Sequence, residues 1–288
     1  MDNVLALHAD LVRKTYTHGG YHHFKIADPK PRDIHKAAVR DRLVHNAIYR
    51  VLYPYFDRTF IADSYSCRKW KGTHKALNRF RTCARKESCN HTRTVWVLKC
   101  DIRKFFASVD QRILCTILKR RIIDTDVLWL LDRVIGSFYS TEAGKGLPLG
   151  NLTSQLLVNI YMNEFDQFMK HELKARHYIR YADDFVILSR DRGELEVMLP
   201  KIATFLHDSL KLTLHPQKVS ITTVASGVDF LGWVYFPDHR VLRTVTKRRA
   251  LRCMRKLEAD SPTVRSYLGL MSHGNARKMG KEVENVLT

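Results

Sequence analysis

Apolar residues recur at two different spacings, and the alternation between these spacings predicts the order of helices and strands. A helical period is clearest at Val39, Leu43, Ala47 and Val51, where apolar side chains return once per turn. Spacing of this kind predicts helices at 1–18, 36–60, 73–85, 105–121, 152–174 and 193–211. About the last fifty residues are predicted to be basic and helical, with breaks at the proline and glycine numbered 262 and 274.

Short runs rich in β-branched and aromatic residues separate these helices and predict strands. The run 94–102 predicts one strand, and 177–188 predicts two strands that meet at a pair of aspartates. Residues 21–35 predict a hairpin around an Asp-Pro turn, and 220–236 predict two strands with Ser-Gly at the turn. Because the strands are short and mostly connected as hairpins, we expect an α+β fold with an antiparallel sheet, not a doubly wound parallel sheet.

Charge is the feature of the composition that points to a partner. Forty-nine Lys and Arg residues against 29 Asp and Glu leave a formal net charge of +20 with His neutral. The basic residues form separate clusters at 67–86, 118–121 and 246–256, which suits a groove that follows a phosphate backbone. The alternative is that the charge only keeps the chain soluble.

Cysteine usage and hydropathy argue against other classes. The 6 cysteines include no C-x-x-C pair, so we expect reduced thiols and no zinc site. The opening "MDNVLALHADLVRK" lacks the pattern of a signal peptide, and no apolar run approaches the ~18 residues of a membrane span. We therefore expect a soluble, cytoplasmic protein with no membrane partner.

The stretch "YIRYADDFVIL" (178–188) places Asp183 and Asp184 side by side within an apolar run. Two buried like charges are costly unless a cation lies opposite, whereas in an ordinary hairpin turn aspartate is common. Asp101 follows another β-rich run in "LKCDIRKFF", so it can bring a third carboxylate to the same sheet edge. Such oxygen ligands select Mg²⁺, and two ions about 4 Å apart would support phosphoryl transfer.

Four motifs in a characteristic order make the chain resemble a reverse transcriptase of the right-hand polymerase type. "CDIRKFF" and "YADD" resemble the two metal motifs, "GLPLGNLTSQ" the loop and helix between them, and "DFLGWVYF" the primer-gripping hairpin. The resemblance implies an RNA-directed DNA polymerase that uses two Mg²⁺ ions and dNTPs, with template RNA and the cDNA/RNA hybrid as partners. It implies fingers at 1–96, a palm at 97–240 with a fingers contribution at about 116–148, and a short helical thumb at 241–288.

Catalytic roles follow from the same resemblance. Asp101 and Asp183 match the metal-bridging aspartates, and Asp184 matches a third, less tightly engaged carboxylate. The backbone carbonyl of Ile102 is expected to face the nucleotide-side ion. Lys218 matches a lysine that protonates the pyrophosphate leaving group, although a surface lysine is the alternative.

Nucleotide-binding roles are implied for the first hairpin and for one aromatic residue. Lys25 and Arg32 resemble the cations that clamp the incoming triphosphate, with Lys30 as a rival for the lysine role; a solvated basic hairpin is the alternative. Phe106 matches the bulky residue that excludes a ribose 2′-hydroxyl. The alternative is core packing, since Phe105 is adjacent and one of the two must be buried.

Template and primer contacts are implied for two further motifs. "DSYSCRKWKGTHKA" resembles a template-contacting fingers motif, although relatives often carry Gly where Trp70 stands. The residues assigned to template or primer are Arg68, Lys71, Gly72, Gln155, Leu231, Gly232 and Trp233.

The loop "GLPLGNLTSQ" departs from the commonest pattern in a way that narrows the resemblance. Leu149 replaces the usual Gln before Gly150, and Gln155 replaces the usual Pro. This resembles the bacterial and phage-encoded enzymes of diversity-generating retroelements, which copy a template RNA with frequent errors opposite adenine, together with a small basic accessory variability protein. The resemblance assigns Leu149 and Gly150 to nucleotide binding, where a leucine beside the nascent base pair lacks the polar group of glutamine; the alternative is that Leu149 merely packs against the base with no loss of fidelity. For the chain as a whole, the alternatives are a retron-type or anti-phage defence reverse transcriptase, and a non-catalytic RNA-binding scaffold.

Overall fold

The computed structural model describes residues 2–27, 31–254, 261–271 and 273–274, and it confirms the α+β class. The helices are α1 (Asp2–Val12), α2 (Val39–Asp57), α3 (Thr73–Glu87), α4 (Phe105–Ser108), α5 (Gln111–Lys119), α6 (Thr125–Gly136), α7 (Leu152–Gln167), α8 (Arg192–Leu210), α9 (Thr244–Met254) and α10 (Pro262–Met271). The strands are β1 (Tyr21–Ile26), β2 (Arg32–Ala37), β3 (Trp96–Asp101), β4 (His177–Tyr181), β5 (Asp184–Ser189), β6 (Ser220–Thr223), β7 (Val228–Phe230), β8 (Trp233–Tyr235) and β9 (Arg240–Leu242).

A four-stranded antiparallel sheet in the order β4-β5-β3-β6 forms the centre of the fold. Successive residues of a strand point to opposite faces, so a strand buried on both sides serves two cores. On β3, Leu98 and Cys100 belong to one apolar cluster with α7 and α8, whereas Val97 belongs to a second with α3 and β7–β9. The apolar runs seen in the sequence are therefore doubly covered strands.

Two helices end earlier than the apolar pattern predicts. The predicted helix 105–121 is divided into α4 and α5, because the Asp110 carboxylate accepts hydrogen bonds from the N–H groups of Arg112 and Ile113 and starts a new helix. The predicted helix 1–18 ends at Val12, after which Tyr16 is buried against Asp41 at 2.8 Å. A local hydrogen-bonded cap therefore sets the start of α5, and burial of Tyr16 accompanies the early end of α1.

The segment 220–236 differs from the single hairpin that was predicted. β6 joins the central sheet, and the turn at Ser226 and Gly227 passes the chain to a separate sheet, β7-β8-β9. The tight hairpin is instead β7-β8, with Leu231 and Gly232 at its turn, both at positive φ (51° and 86°). Two consecutive left-handed residues are what a two-residue hairpin turn requires, so the hairpin forms there.

The predicted helical C-terminal region is confirmed for its described part by α9 and α10. Pro262 is the first residue of α10, where its fixed φ and missing N–H are tolerated. In the described ranges no helix is long and apolar enough to cross a membrane. All six cysteines are free thiols.

The first hairpin, β1-β2, is confirmed and is attached to the start of α7. The His35 N–H donates to the Leu149 carbonyl at 2.9 Å, and the Asn151 amide bridges to the same hairpin through the His35 carbonyl at 2.7 Å. Between them Gly150 has φ +109°, and a Cβ there would lie 2.8 Å from Cγ2 of Ile34. The loop before α7 therefore depends on a glycine for its close approach to the hairpin.

We predict that Gly150→Ala destabilises the protein by about 1–3 kcal/mol, since it adds a contact with Ile34 to the cost of a left-handed backbone. Gly144→Ala is the matched control, because Gly144 has φ +79° but no atom within 4 Å of its Cβ position. Urea unfolding of both variants measures the difference. Equal losses would show that the close packing of the hairpin is not needed.

Candidate active site

Three carboxylates meet at one end of the central sheet. Asp101, the last residue of β3, lies directly opposite Asp184, the first residue of β5. Asp183 lies in the two-residue turn between β4 and β5, and its carbonyl accepts a hydrogen bond from the Ile102 N–H at 3.1 Å. Ala182, the other turn residue, has φ +57°. The fold thus brings Asp101 to the consecutive pair Asp183 and Asp184, which are about eighty residues away in sequence, as predicted. The role of the Ile102 carbonyl stays a prediction.

Asp184 carries an uncompensated carboxylate. Burial, above all, raises its pKa to about 7; Lys99 opposes the shift, and Asp101, Asp183 and Asp229 add to it. Its Oδ1 atom is buried and has no hydrogen-bond partner. A buried oxygen in this condition is costly, so the site favours an added cation or proton.

Lys218 is the counter-ion of Asp101. Its ammonium group lies 2.8 Å from Oδ1 of Asp101, although the lysine side chain is otherwise exposed. The pKa of Asp183 is raised first by burial and then by Asp101, whereas Lys218 and Arg32 lower it. Arg32, which belongs to the predicted nucleotide-binding hairpin, is therefore close enough to act electrostatically on Asp183.

The carboxylates fit a hard divalent cation after one rearrangement. Within the described ranges, no three His, Cys, Asp or Glu side chains are grouped so that they could hold a metal ion as they stand. One oxygen of Asp101 is occupied by Lys218, and Asp184 Oδ1 is unpartnered. Mg²⁺ takes one or two protein carboxylates together with substrate phosphates and water, so the oxygen ligands of this site are of the kind that Mg²⁺ needs.

A buried arginine, which the sequence analysis missed, holds the turn at Ala182 and Asp183. Arg180 on β4 and Asp166 on α7 have fully buried side chains and form a two-pronged ion pair at 2.8 and 2.6 Å. The guanidinium also donates to the Ala182 carbonyl at 3.1 Å and to the Ser64 hydroxyl at 3.0 Å, and the Tyr178 hydroxyl donates to Asp166 at 2.7 Å. The signal was present in "YIRYADD", where an arginine interrupts a run predicted to be buried.

The predicted nucleotide-binding cations lie on the first hairpin. Lys25 is opposite Asp33, and Ile26 is opposite Arg32, so Lys25 and Arg32 lie near the same end of the hairpin. The Asp28-Pro29 turn and Lys30 fall outside the described residues. Leu149 and Gly150 pack against this hairpin as described above, and the Leu149 side chain is half-buried.

Phe105 and Phe106 divide as the sequence analysis expected. Phe105 is buried in the core, whereas Phe106 is half-buried and its carbonyl accepts a hydrogen bond from the Leu147 N–H at 2.8 Å. Phe106 thus links α4 to the loop that ends at Leu149. Its role as a gate stays a prediction.

Two predicted template contacts are used inside the fold. The Arg68 guanidinium donates to Asp57 at 2.7 Å and to backbone carbonyls, and its side chain is only 6% exposed. The Lys71 ammonium donates to the Ala62 carbonyl at 2.7 Å. Gly72 precedes α3 with φ +106°. These side chains stabilise the loop, so a template contact by either would need a rearrangement.

The remaining predicted contacts lie on α7 and on the β7-β8 hairpin. Gln155 is half-buried, and Leu231 and Gly232 form the hairpin turn. Trp233 is only 2% exposed, and its indole packs in the second core. A primer contact of this hairpin would therefore use the turn and not the indole.

Comparison with known proteins identifies relatives of this arrangement. The family described as reverse transcriptase (RNA-dependent DNA polymerase) matches residues 27–235. Protein YkfC of Escherichia coli (strain K12) is 29% identical over 260 residues, covering 77% of this chain and 66% of that protein. The group II intron-encoded protein LtrA of Lactococcus lactis subsp. cremoris is 22% identical over 277 residues, covering 73% of this chain and 44% of its own length. The chain therefore spans less than two thirds of either relative.

Among solved structures, apo telomerase from Candida tropicalis, truncated from its C-terminal domain, matches with a TM-score of 0.59. The match covers 84% of this chain and 60% of the telomerase chain at 10% identity. Telomerase from Candida albicans with a fragment of telomeric RNA also gives a TM-score of 0.59 at 10% identity, covering 88% of this chain and 55% of that chain. Likeness at such low identity concerns the fold, and it confirms the right-hand polymerase architecture.

We predict that Asp184→Asn stabilises the metal-free protein at pH 8. The pKa of this carboxyl is about 7 when folded and ~3.9 when unfolded, so the unfolded chain loses the proton first and wild-type stability falls as the pH rises between these values. We expect a gain of about 1 kcal/mol or more at pH 8, shrinking toward pH 4, by urea unfolding in EDTA. Asp208→Asn, at an exposed carboxylate, is the control. If the gain in unfolding free energy did not depend on pH, the stabilisation would not come from removing the buried charge of Asp184.

Proposed function

Because the chain belongs to the reverse transcriptase (RNA-dependent DNA polymerase) family, which matches residues 27–235, we propose that it is an RNA-directed DNA polymerase. The observation that carries this proposal is the cross-strand pairing of Asp101 with Asp184, with Asp183 in the adjoining turn. The partner is a template RNA and the cDNA/RNA hybrid, which suits a net charge of +20.

Asp101, Asp183 and Asp184 would hold two Mg²⁺ ions, with the Ile102 carbonyl as a further oxygen ligand. When bound, the ions supply activation of the attacking hydroxyl and neutralisation of the phosphates. Lys218 would leave Asp101 as the cations enter, and its ammonium would then be free to donate a proton to the leaving pyrophosphate.

The first hairpin would bind the dNTP. Arg32, already within electrostatic reach of Asp183, would contact the triphosphate, and Lys25, whose pairing site on β1 is next to that of Arg32, would assist. Phe106 would exclude a ribose 2′-hydroxyl, which is consistent with its being less buried than Phe105. Gly150 would allow the loop to approach both the hairpin and the nascent base pair.

The finer proposal is mutagenic cDNA synthesis for a diversity-generating retroelement, with a small basic accessory variability protein as partner. Its support is local: Leu149 before Gly150, and Gln155 at the motif's end. The half-buried Leu149 side chain adjoins the hairpin that would bind the dNTP. An apolar side chain there cannot form a hydrogen bond that favours a correct base pair over a misaligned one. A retron-type or defence enzyme is the alternative, and DNA flanking the gene with repeats that differ mainly at adenines would favour the retroelement.

Primer extension on an RNA template with Mg²⁺ tests the polymerase assignment. We expect incorporation of dNTPs by the wild type, and a loss on the order of 10²–10³-fold in Asp183→Asn, because a charge-stabilising ligand is removed. The matched control is Asp208→Asn, at an exposed carboxylate on α8. Lack of incorporation by the wild type, with or without an accessory protein, would favour the non-catalytic RNA-binding scaffold.

Leu149→Gln tests the retroelement assignment. We expect fewer misincorporations opposite template adenine, by about 5- to 150-fold for a regained contact worth ~1–3 kcal/mol, with little change opposite other bases. Leu149→Met, which keeps the side chain apolar, should retain the wild-type error spectrum. Sequencing of cDNA from the three proteins measures this, and identical spectra would remove Leu149 from the mechanism.

A further inference from the structure

The loop between α2 and α3 is hydrogen-bonded to the rest of the fold on both sides of Trp70. Its residues are tied to the surrounding structure by hydrogen bonds that use both backbone and side chains. These bonds are Arg68 Nε to Asp57 Oδ1 at 2.7 Å, Lys69 N to the Tyr53 hydroxyl at 2.7 Å, Lys71 Nζ to the Ala62 carbonyl at 2.7 Å, and Gly72 N to the Tyr65 carbonyl at 3.0 Å. The loop therefore holds Trp70 in a defined place.

Trp70 itself is presented to solvent. It is 86% exposed and has φ +62°, a left-handed conformation that a tryptophan rarely adopts. By contrast Trp233 is buried, and Trp96 and Trp129 are half-buried. A large apolar ring held outward on a fixed but unfavourable backbone has no role in packing, which points to a ligand for the indole face.

The surroundings of Trp70 suit a polyanion. The segment 67–75 contains no acidic residue and four cations: Arg68 and Lys71, which are bonded within the fold, and Lys69 and Lys75, which are exposed. The loop also lies beside the catalytic hairpin, because the Thr73 hydroxyl donates to the Tyr181 hydroxyl at 3.2 Å. Tyr181 is the cross-strand partner of Asp184. Thr73 is the third residue after Trp70, so the two Cα atoms are at most about 11 Å apart.

We propose that Trp70 is a stacking platform for an unpaired base of the template RNA, next to the catalytic hairpin. This rests on the proposed polymerase function and names a contact for its template. Arg68 and Lys71, which the sequence assigned to the template, instead hold the loop so that the indole is pre-positioned. Stacking suits a template of any sequence, because every base offers a π-face.

A single exposed ring also favours a base over a protein partner. A stable protein interface buries about 1,200–2,000 Å² in total, far more than one indole supplies. Clustered cations around one aromatic ring are instead the usual design of single-stranded nucleic acid sites.

The test compares binding of two labelled primer–template duplexes, one with a single-stranded 5′ template overhang and one blunt. Trp70→Ala should weaken binding of the overhang substrate about 5- to 150-fold and leave blunt-duplex binding unchanged. Trp70→Phe should retain most of the affinity. Since no charge is removed, the dependence of binding on salt should stay as in the wild type. Tyr139→Ala, at another exposed aromatic residue (66%), is the matched control.

Trp70→Gly separates the function from a structural role. Glycine tolerates the left-handed backbone, so this variant should melt above Trp70→Ala and no lower than the wild type, yet bind the overhang substrate as weakly as Trp70→Ala. Unchanged overhang binding in Trp70→Ala, or equal weakening for both duplexes, would overturn the proposal. Primer extension by the wild type is measured in parallel: its absence would reject the polymerase function, while overhang binding would still decide the role of Trp70.

Discussion

The buried ion pair between Arg180 and Asp166 is the interaction on which the site depends. It joins β4 to α7 and, through the Ser64 hydroxyl, to the loop before α3. The arginine also holds the Ala182 carbonyl in the turn that carries Asp183. Loss of one partner of such a pair leaves a buried charge, at a cost of about 3–5 kcal/mol. The hydrogen bonds that satisfy the arginine are therefore what keeps the turn in place.

The turn held in this way is electrostatically incomplete. Arg180 forms its ion pair with Asp166 and does not neutralise Asp183 or Asp184. The pKa values of these two carboxyl groups are raised chiefly by burial. Lys218 offsets only part of the negative charge, and from an exposed position it can leave. A rigid frame beneath an unsatisfied carboxylate group is the arrangement expected of a site completed by metal ions and a charged substrate.

Pre-positioning extends beyond the carboxylates. The hairpin β1-β2 is attached to the loop before α7 through Leu149 and Asn151, with Gly150 at the closest approach. The loop before α3 is held around Trp70 by hydrogen bonds from the Arg68 and Lys71 side chains. The hairpin and the loop, which would contact nucleotide and template, are thus both linked to the end of the sheet that carries the carboxylates. These links restrict their position relative to the carboxylates.

The sequence by itself determined the α+β class, most of the order of elements and the three carboxylates, because apolar period, turn residues and motif spacing are local properties. It missed the helix α6 and the strand β9. It placed the helix boundaries less well: Asp110 caps a new helix within the predicted 105–121, and the hairpin turn lies at Leu231 and not at Ser226. Only the tertiary structure decided that Arg68 and Lys71 serve the loop while Trp70 faces solvent, and that Arg180 is satisfied by Asp166. Partners for a charge come from distant segments, and burial is a property of the folded whole.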